Sequence, residues 1–284
     1  MSAWPGNPRR RTPRCSRTRQ THQKHKGVST LDLSIVIPCY NEAEGLPALQ
    51  MNLLPVVSGL ARIRTVEVVF VDDGSSDGTA PALGSVCGRL SGDGVPARLE
   101  RHAANRGLGA ALRTGFAAAT GDVVITTDSD GTYDFASIPA LLDLLTAGTD
   151  IVVASPYHPQ GGVEGVSPLR LTLSKTSSNL YRMLVSRGVH TYTSLFRAYR
   201  RAVLQAVPFE SDGFLAGTEL LVKAMLQGYR VAEYPAVLRV RGCGRSKARL
   251  ARTTLAHLRF MARVALHHLR LQRLDLVQPI GEQP

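Results

Sequence analysis

Four short runs of apolar, mostly β-branched residues, each followed by a stretch of helical length, constrain this chain more than any other feature. "LSIVI" (33–37), "VEVVFV" (66–71), "VVITT" (123–127) and "DIVVAS" (150–155) are close to continuously apolar. A strand with one wet face alternates polar and apolar residues, so unbroken runs suit strands covered on both faces. Helical candidates lie near 45–57, 78–90, 107–120 and 136–147, each opened by Gly, Asp, Ser or Pro signals. The alternation argues for an α/β domain with an open, mostly parallel sheet and helices on both faces. Ligands on such sheets bind at the carboxyl ends of the strands.

The polar clusters fall at those ends. "PCYNE" follows the first run, "DDGSSDGT" the second and "DSDGTYD" the third. Asp and Asn also cap helices and Gly makes turns, but three such clusters at one sheet edge mark a site. In "DVVITTDSDGTYD" the carboxylates of Asp128 and Asp130 are one residue apart. Alternate residues of an extended chain share a side, so the two converge and call for a cation. Hard oxygen ligands suit Mg²⁺ or Mn²⁺, which take one or two carboxylates and complete the shell with water and substrate phosphate. Asp72 and Asp73 would repel the same phosphate. Their lone pairs suit base N–H groups or ribose hydroxyls, which assigns them to a nucleoside. "NRGLG", with Asn105 and Gly107, opens a helix with two glycines and allows close backbone approach to a ligand, or simply makes a loop and helix start.

"IVIPCYNEAEG", "VVFVDDGSSDGT", "NRGLGAALRTGFAAATGDVVITTDSDGTYDFASIP" and "TSLFRAYRRAVL" together resemble the ordered motifs of glycosyltransferase family 2. Within it they are most similar to the dolichyl- or polyprenyl-phosphate mannose or glucose synthases, over about residues 33–250. The resemblance implies a GT-A fold, a nucleotide-sugar donor such as GDP-mannose or UDP-glucose, a divalent metal and inversion at the anomeric carbon. Carried over, it sets Pro38, Tyr40, Asn41, Glu42 and Asp72 around the nucleoside, and Asp128 and Asp130 at the metal and diphosphate. Glu219 becomes a candidate base or orienter. "RVRGCGRSK" resembles the family's Arg, Gly, Ser-Lys stretch and points Arg239, Arg241, Ser246 and Lys247 toward phosphates, its alternative being a solvated basic loop. If the acceptor is a lipid phosphate, Arg197 and Arg170 are further candidates for its cradle. If it is a sugar or natural-product hydroxyl, Glu219 or Asp212 has to serve as base. The chain departs from the "DxTSGFR" common among relatives, with Thr191 in place of the Asp and Leu195 in place of the Gly.

The formal charge of +12 is concentrated at the ends. Residues 1–26 hold eight Lys or Arg and residues 239–273 ten, neither segment with an acid, while residues 27–238 are net −4. Residues 1–30 read as a disordered basic arm, residues 31–248 as the GT-A domain and 249–284 as a basic amphipathic helix and tail. The arm can meet nucleic acid or anionic lipid, or be a solvated tail or an upstream start. In the helix, Leu255, Leu258, Met261, Ala262, Ala265 and Leu269 recur at helical spacing among Arg252, Arg259, Arg263 and Arg270. Such a helix lies on a membrane surface, or packs on its own core or a second subunit. The near-neutral middle argues against a nucleic-acid groove. A silent nucleotide-sugar or nucleic-acid binding protein is opposed by the intact Asp128 and Asp130. Cys15, Cys39, Cys87 and Cys243 form no CxxC pair, and no run reaches the ~18 apolar residues of a spanning helix. The expectation is a cytoplasmic enzyme, peripheral at the inner face of the membrane, working on a nucleotide sugar and a polyprenyl phosphate.

Overall fold

A computed structural model describes residues 32–240 and 250–276. The sheet is built first from β1 (Leu33–Cys39), β2 (Val66–Asp72), β3 (Ala97–Arg101) and β4 (Val123–Thr126). β5 (Ile151–Ser155), β7 (Arg197–Arg200) and β8 (Val231–Pro235) complete it in the order β3-β2-β1-β4-β7-β5-β8. Pairing is parallel except that β7 runs antiparallel between β4 and β5. The expected mostly parallel sheet is present. β3, β7 and β8 were not foreseen: "ARLER", "RAYR" and "VAEYP" contain no apolar run and are held as strands by their neighbours rather than by pattern.

The four apolar runs are buried on both faces because alternate residues serve two layers. Ile35 and Ile37 of β1 pack with Leu49 and Leu53 of α1 (Leu46–Ala61), Leu83 of α2 (Thr79–Gly92) and Leu141 of α4 (Ile138–Leu144). Val36 faces the other way, with Val69, Val71 and Ala111 of α3 (Leu108–Ala118). Each such side chain taken from water stabilises the fold by roughly 1.5–3 kcal/mol, which is why a one-residue slip of register would invert both layers.

A further cluster joins α5 (Pro168–Leu184), α7 (Ala216–Leu226) and α8 (Leu250–His268). Two short strands, β6 (Gly162–Glu164) and β9 (Val237–Arg239), pair beside the main sheet, and α6 (Arg201–Ala206) follows β7. α8 is present as expected, but it buries His257, Phe260, Met261 and Val264. Of the stripe read from the sequence only Met261 turns inward; Leu255, Leu258 and Leu269 are exposed. The helix carries two apolar stripes, and packing against α5 selected the one containing an aromatic ring. The basic arm of residues 1–30 lies outside the described residues.

Candidate functional site

The order in which strands are added reverses at the parallel pair β1 and β4: from β1 the chain winds outward through β2 to β3, then returns to β1's other side. Such a switch point opens a crevice at the strand ends. All three polar clusters meet there.

At the ends of β1 and β2, hydrogen bonds knit the expected nucleoside residues into one cluster. Half-buried Pro38 and Tyr40 lead into Asn41, whose backbone takes a left-handed φ of +52°. Its N–H donates to Ser75 Oγ (2.9 Å), and its side-chain oxygen accepts from the Ser76 N–H (2.8 Å). The Glu42 N–H donates to Thr79 Oγ1 (2.8 Å). Asp72, fully buried, accepts from the Ser75 N–H (3.1 Å) and Arg101 Nε (3.2 Å). The Cys39 thiol beneath is pushed up by burial and is inert as a nucleophile.

Asp73 has a different job from the one its sequence position suggested. Its carboxylate accepts from His102 Nδ1 (2.6 Å), Asn105 Nδ2 (2.8 Å) and the N–H groups of Arg106 (2.9 Å) and Gly107 (2.7 Å). The Thr114 hydroxyl meets His102 Nε2 at 2.9 Å, which fixes the ring. Asp73 therefore shapes the loop that carries Asn105 and Gly107. The glycines of "GLG" are likewise used by the protein itself. A Cβ on Gly107 (φ +98°) would stand 2.3 Å from the Asp212 carbonyl oxygen, and one on Gly109 1.9 Å from that of Ser211. The backbone they admit is the 211–212 segment, whose Asp212 carbonyl accepts the Gly109 N–H at 2.7 Å.

Asp128 and Asp130 follow β4 in a turn rather than within the strand, and both line a cleft of about 590 Å³. Asp130 is oriented by the Thr132 N–H (3.0 Å) and by the Thr132 hydroxyl. Arg170, from α5, and Arg239, from β9, line the same cleft. Arg239 is braced by Glu164 at 3.2 Å, and no carboxylate pairs with Arg170 among the described residues. Thr191 and Leu195 also line it. Thr191 Oγ1 shares a hydrogen bond with Ser155 Oγ (2.7 Å), a neutral hydroxyl pair. Two hard carboxylates facing a cleft with cations opposite fit a divalent ion bridging to phosphate. Among the described residues no third His, Cys, Asp or Glu joins them in a group.

Two expected residues do not reach the cleft. Arg197 is fully buried; Nη2 donates to the Tyr192 carbonyl (2.7 Å) and Nη1 to the Gly217 carbonyl and Tyr199 hydroxyl. It pins the start of α7, whose Gly217 and Thr218 form cleft wall, and has no surface on which to meet an acceptor phosphate. Glu219, 2% exposed, accepts from the N–H groups of Glu210 (3.2 Å) and Ser211 (3.0 Å), and lies 2.9 Å from Lys223 Nζ, itself fully buried. That carboxylate is committed to holding the 210–211 segment. Asp212, the other candidate base, is exposed and gripped by Arg113. Arg241, Ser246 and Lys247 lie outside the described residues. Tyr157, Thr193 and Phe214 line the cleft without having been singled out; Tyr157, two residues past β5, could have been found by reading that strand end like the other three.

The sequence profile described as Glycosyl transferase family 2 matches residues 34–207. The chain is 34% identical over 219 residues to a polyprenol monophosphomannose synthase of Mycolicibacterium smegmatis, spanning 75% of this chain and 79% of that protein. It is 30% identical over 253 residues to a dolichol-phosphate mannosyltransferase of Pyrococcus furiosus, covering 88% and 68%. Among solved structures, a glucosyl-3-phosphoglycerate synthase of Mycobacterium tuberculosis, in complex with Mn²⁺, UDP and glucosyl-3-phosphoglycerate, superimposes with a TM-score of 0.60. That match has 23% identity and covers 86% of this chain and 81% of the other, a likeness of fold.

Proposed function

Because the chain belongs to glycosyl transferase family 2, we propose that it moves a hexose from a nucleotide-diphosphate sugar, GDP-mannose or UDP-glucose, to a polyprenyl or dolichyl phosphate with inversion. The observation that carries this reading is the lining of one cleft by the carboxylates of Asp128 and Asp130 together with the cations of Arg170 and Arg239. The two polyprenol- and dolichol-phosphate relatives support the acceptor class.

The nucleoside rests against the β1 and β2 ends, at Pro38, Tyr40, Asn41 and Glu42, with the fully buried Asp72 bracing Ser75 and Arg101 beneath. Asp128 and Asp130 would hold Mg²⁺ or Mn²⁺, which supplies positive charge for the departing diphosphate. Thr132 fixes the Asp130 carboxylate so that it is already oriented when the donor arrives. A phosphate monoester has a second pKa of about 6, so the acceptor is an anion at neutral pH and needs cations rather than a base. Arg170 and Arg239 fit that requirement, with Arg241, Ser246 and Lys247 as the expected continuation. The commitment of Glu219 to its own loop agrees with a reaction that has no use for a carboxylate base. α8 supports attachment to an anionic membrane surface: Leu255, Leu258 and Leu269 are exposed among Arg252, Arg259 and Arg270.

The test is transfer in detergent, with Mg²⁺ or Mn²⁺, from GDP-mannose or UDP-glucose to polyprenyl phosphate. A lipid-linked sugar is expected, and Asp130→Ala should lower its formation about 100-fold or more with unchanged circular dichroism. Transfer only to soluble hydroxyl compounds would replace the lipid acceptor.

A further inference from the structure

A second cavity, of about 500 Å³, shares Pro156, Tyr157 and Leu171 with the cleft but contains neither Asp128 nor Asp130. One wall is the face of α5 that presents Lys175, Asn179 and Arg182, residues four and three apart and so aligned. The opposite wall brings His158 and His190, their rings 5.5 Å apart. No acidic residue lines it. The acid nearest by bonding is Glu233, buried beneath. It accepts from His190 Nδ1 (2.6 Å) and from the N–H groups of His190 (2.8 Å) and Thr191 (3.0 Å).

The cations here are uncompensated. Among the described residues no carboxylate pairs with Lys175 or Arg182; the Lys175 ammonium instead lies 5.7 Å from the centre of the Tyr157 ring. Arg182 Nη2 donates to the Arg187 carbonyl at 3.3 Å, but its Nε is a buried donor with no acceptor. An unmade bond of that kind is expensive for a folded chain to keep. His158 accepts the Gln160 N–H at Nδ1 (3.2 Å), so its neutral ring carries its proton on Nε2 as a further donor. A lining of donors and cations without an acid selects a small anion rich in acceptor oxygens, and the volume is that of a small-molecule site rather than of a bare ion.

We infer that this cavity is a second anion subsite, beside the transfer cleft, that takes a phosphate monoester, with Lys175 and Arg182 as its principal ligands. The monoester is either the headgroup of a bilayer lipid or a small phosphorylated compound in solution. The subsite stands independently of the acceptor assignment, since none of its lining carboxylate-free wall belongs to the metal pair.

The full chain is titrated calorimetrically with inorganic phosphate and floated on phosphatidylcholine vesicles carrying phosphatidic acid or, at equal surface charge, the phosphodiester phosphatidylglycerol, as wild type, as Lys175→Gln/Arg182→Gln and as Arg170→Gln. Loss in the double variant of at least ~10-fold in affinity at a phosphate site that Arg170→Gln retains, or of the preference for phosphatidic acid over phosphatidylglycerol, supports the subsite; the probe that responds identifies the source. Should the double variant misfold, each single substitution is expected to cost about threefold. Unchanged binding in these variants, loss on Arg170→Gln alone, or no binding of either probe overturns it. Nucleotide-sugar binding, measured in the same samples, reports separately on the transfer site.

Discussion

A carboxylate that already accepts from two backbone N–H groups and touches a buried ammonium has an assignment. Glu219→Gln would leave Lys223, fully buried, without its nearest counter-charge at 2.9 Å. Breaking a buried pair from one side costs about 3–5 kcal/mol, so the expected outcome is a large fall in the denaturation midpoint with turnover per folded molecule retained. A general base would show the reverse, lost turnover at unchanged stability. Gly109 makes the same point by shape. Gly109→Ala sets a Cβ 1.9 Å from the Ser211 carbonyl oxygen, and overpacking against backbone costs about 1–3 kcal/mol, readable as a shift in urea midpoint. In sequence both looked like ligand-side features. Only their three-dimensional neighbours reveal that the ligand of each is the protein's own 210–212 segment.

Among the elements, α8 is the one whose docking is tied to a proton. His257 faces inward, 3.1 Å from the Tyr181 hydroxyl, and burial lowers its pKa from 6.5 to about 4. The unfolded chain takes up a proton there below pH 6.5 while the folded one does not, so the unfolded state binds more protons between pH 6.5 and 4. Stability is full above that window and falls as pH drops through it, by about 3 kcal/mol at pH 4. Thermal midpoints of wild type and His257→Gln over this range should diverge, the variant losing less on acidification; parallel curves would remove His257 as the cause, and a carboxylate such as Glu67 acts only at lower pH. Burial raises the Glu67 pKa, but hydrogen bonds from Ser34 and Thr120 and the charge of Arg98 outweigh it and leave the pKa lowered. Its contribution therefore persists to lower pH than that of an ordinary carboxylate and is lost only as pH falls through that depressed value. The periodicity of α8 was legible in the sequence, but not which of two apolar stripes would be buried, because a helix pattern names faces and not partners.

At the scale of the whole molecule, charge and apolar surface are sorted. The segment 27–238 is net negative while 239–273 carries ten cations and no acid, and part of that segment is the exposed, leucine-bearing face of α8. No helix of the described residues is long and apolar enough to cross a membrane. Flotation with anionic vesicles should exceed that with neutral ones and weaken as salt shortens the Debye length from about 10 Å at 0.1 M to 3 Å at 1 M. Leu255→Ser combined with Leu258→Ser should lower it about tenfold at fixed salt, without affecting the buried Phe260 and Val264 contacts.

The sequence by itself determined the layers and pointed to the strand ends as the candidate site. Runs such as "VEVVFV" can only be satisfied with cover on both faces, and a chain that alternates such runs with helices has its ligand edge at the strand ends, where Asp128 and Asp130 stand together. Tertiary structure alone decided which polar groups are committed to the fold. Asp73, Arg197 and Glu219 have the side chains of a binding site, yet each is used up within the fold: Asp73 by the His102 ring and the N–H groups of Arg106 and Gly107, Arg197 by the Tyr192 and Gly217 carbonyls, and Glu219 by the N–H groups of Glu210 and Ser211. A polar side chain's role is set by the hydrogen-bond partners left open to it, and those are fixed only when distant segments are brought into contact.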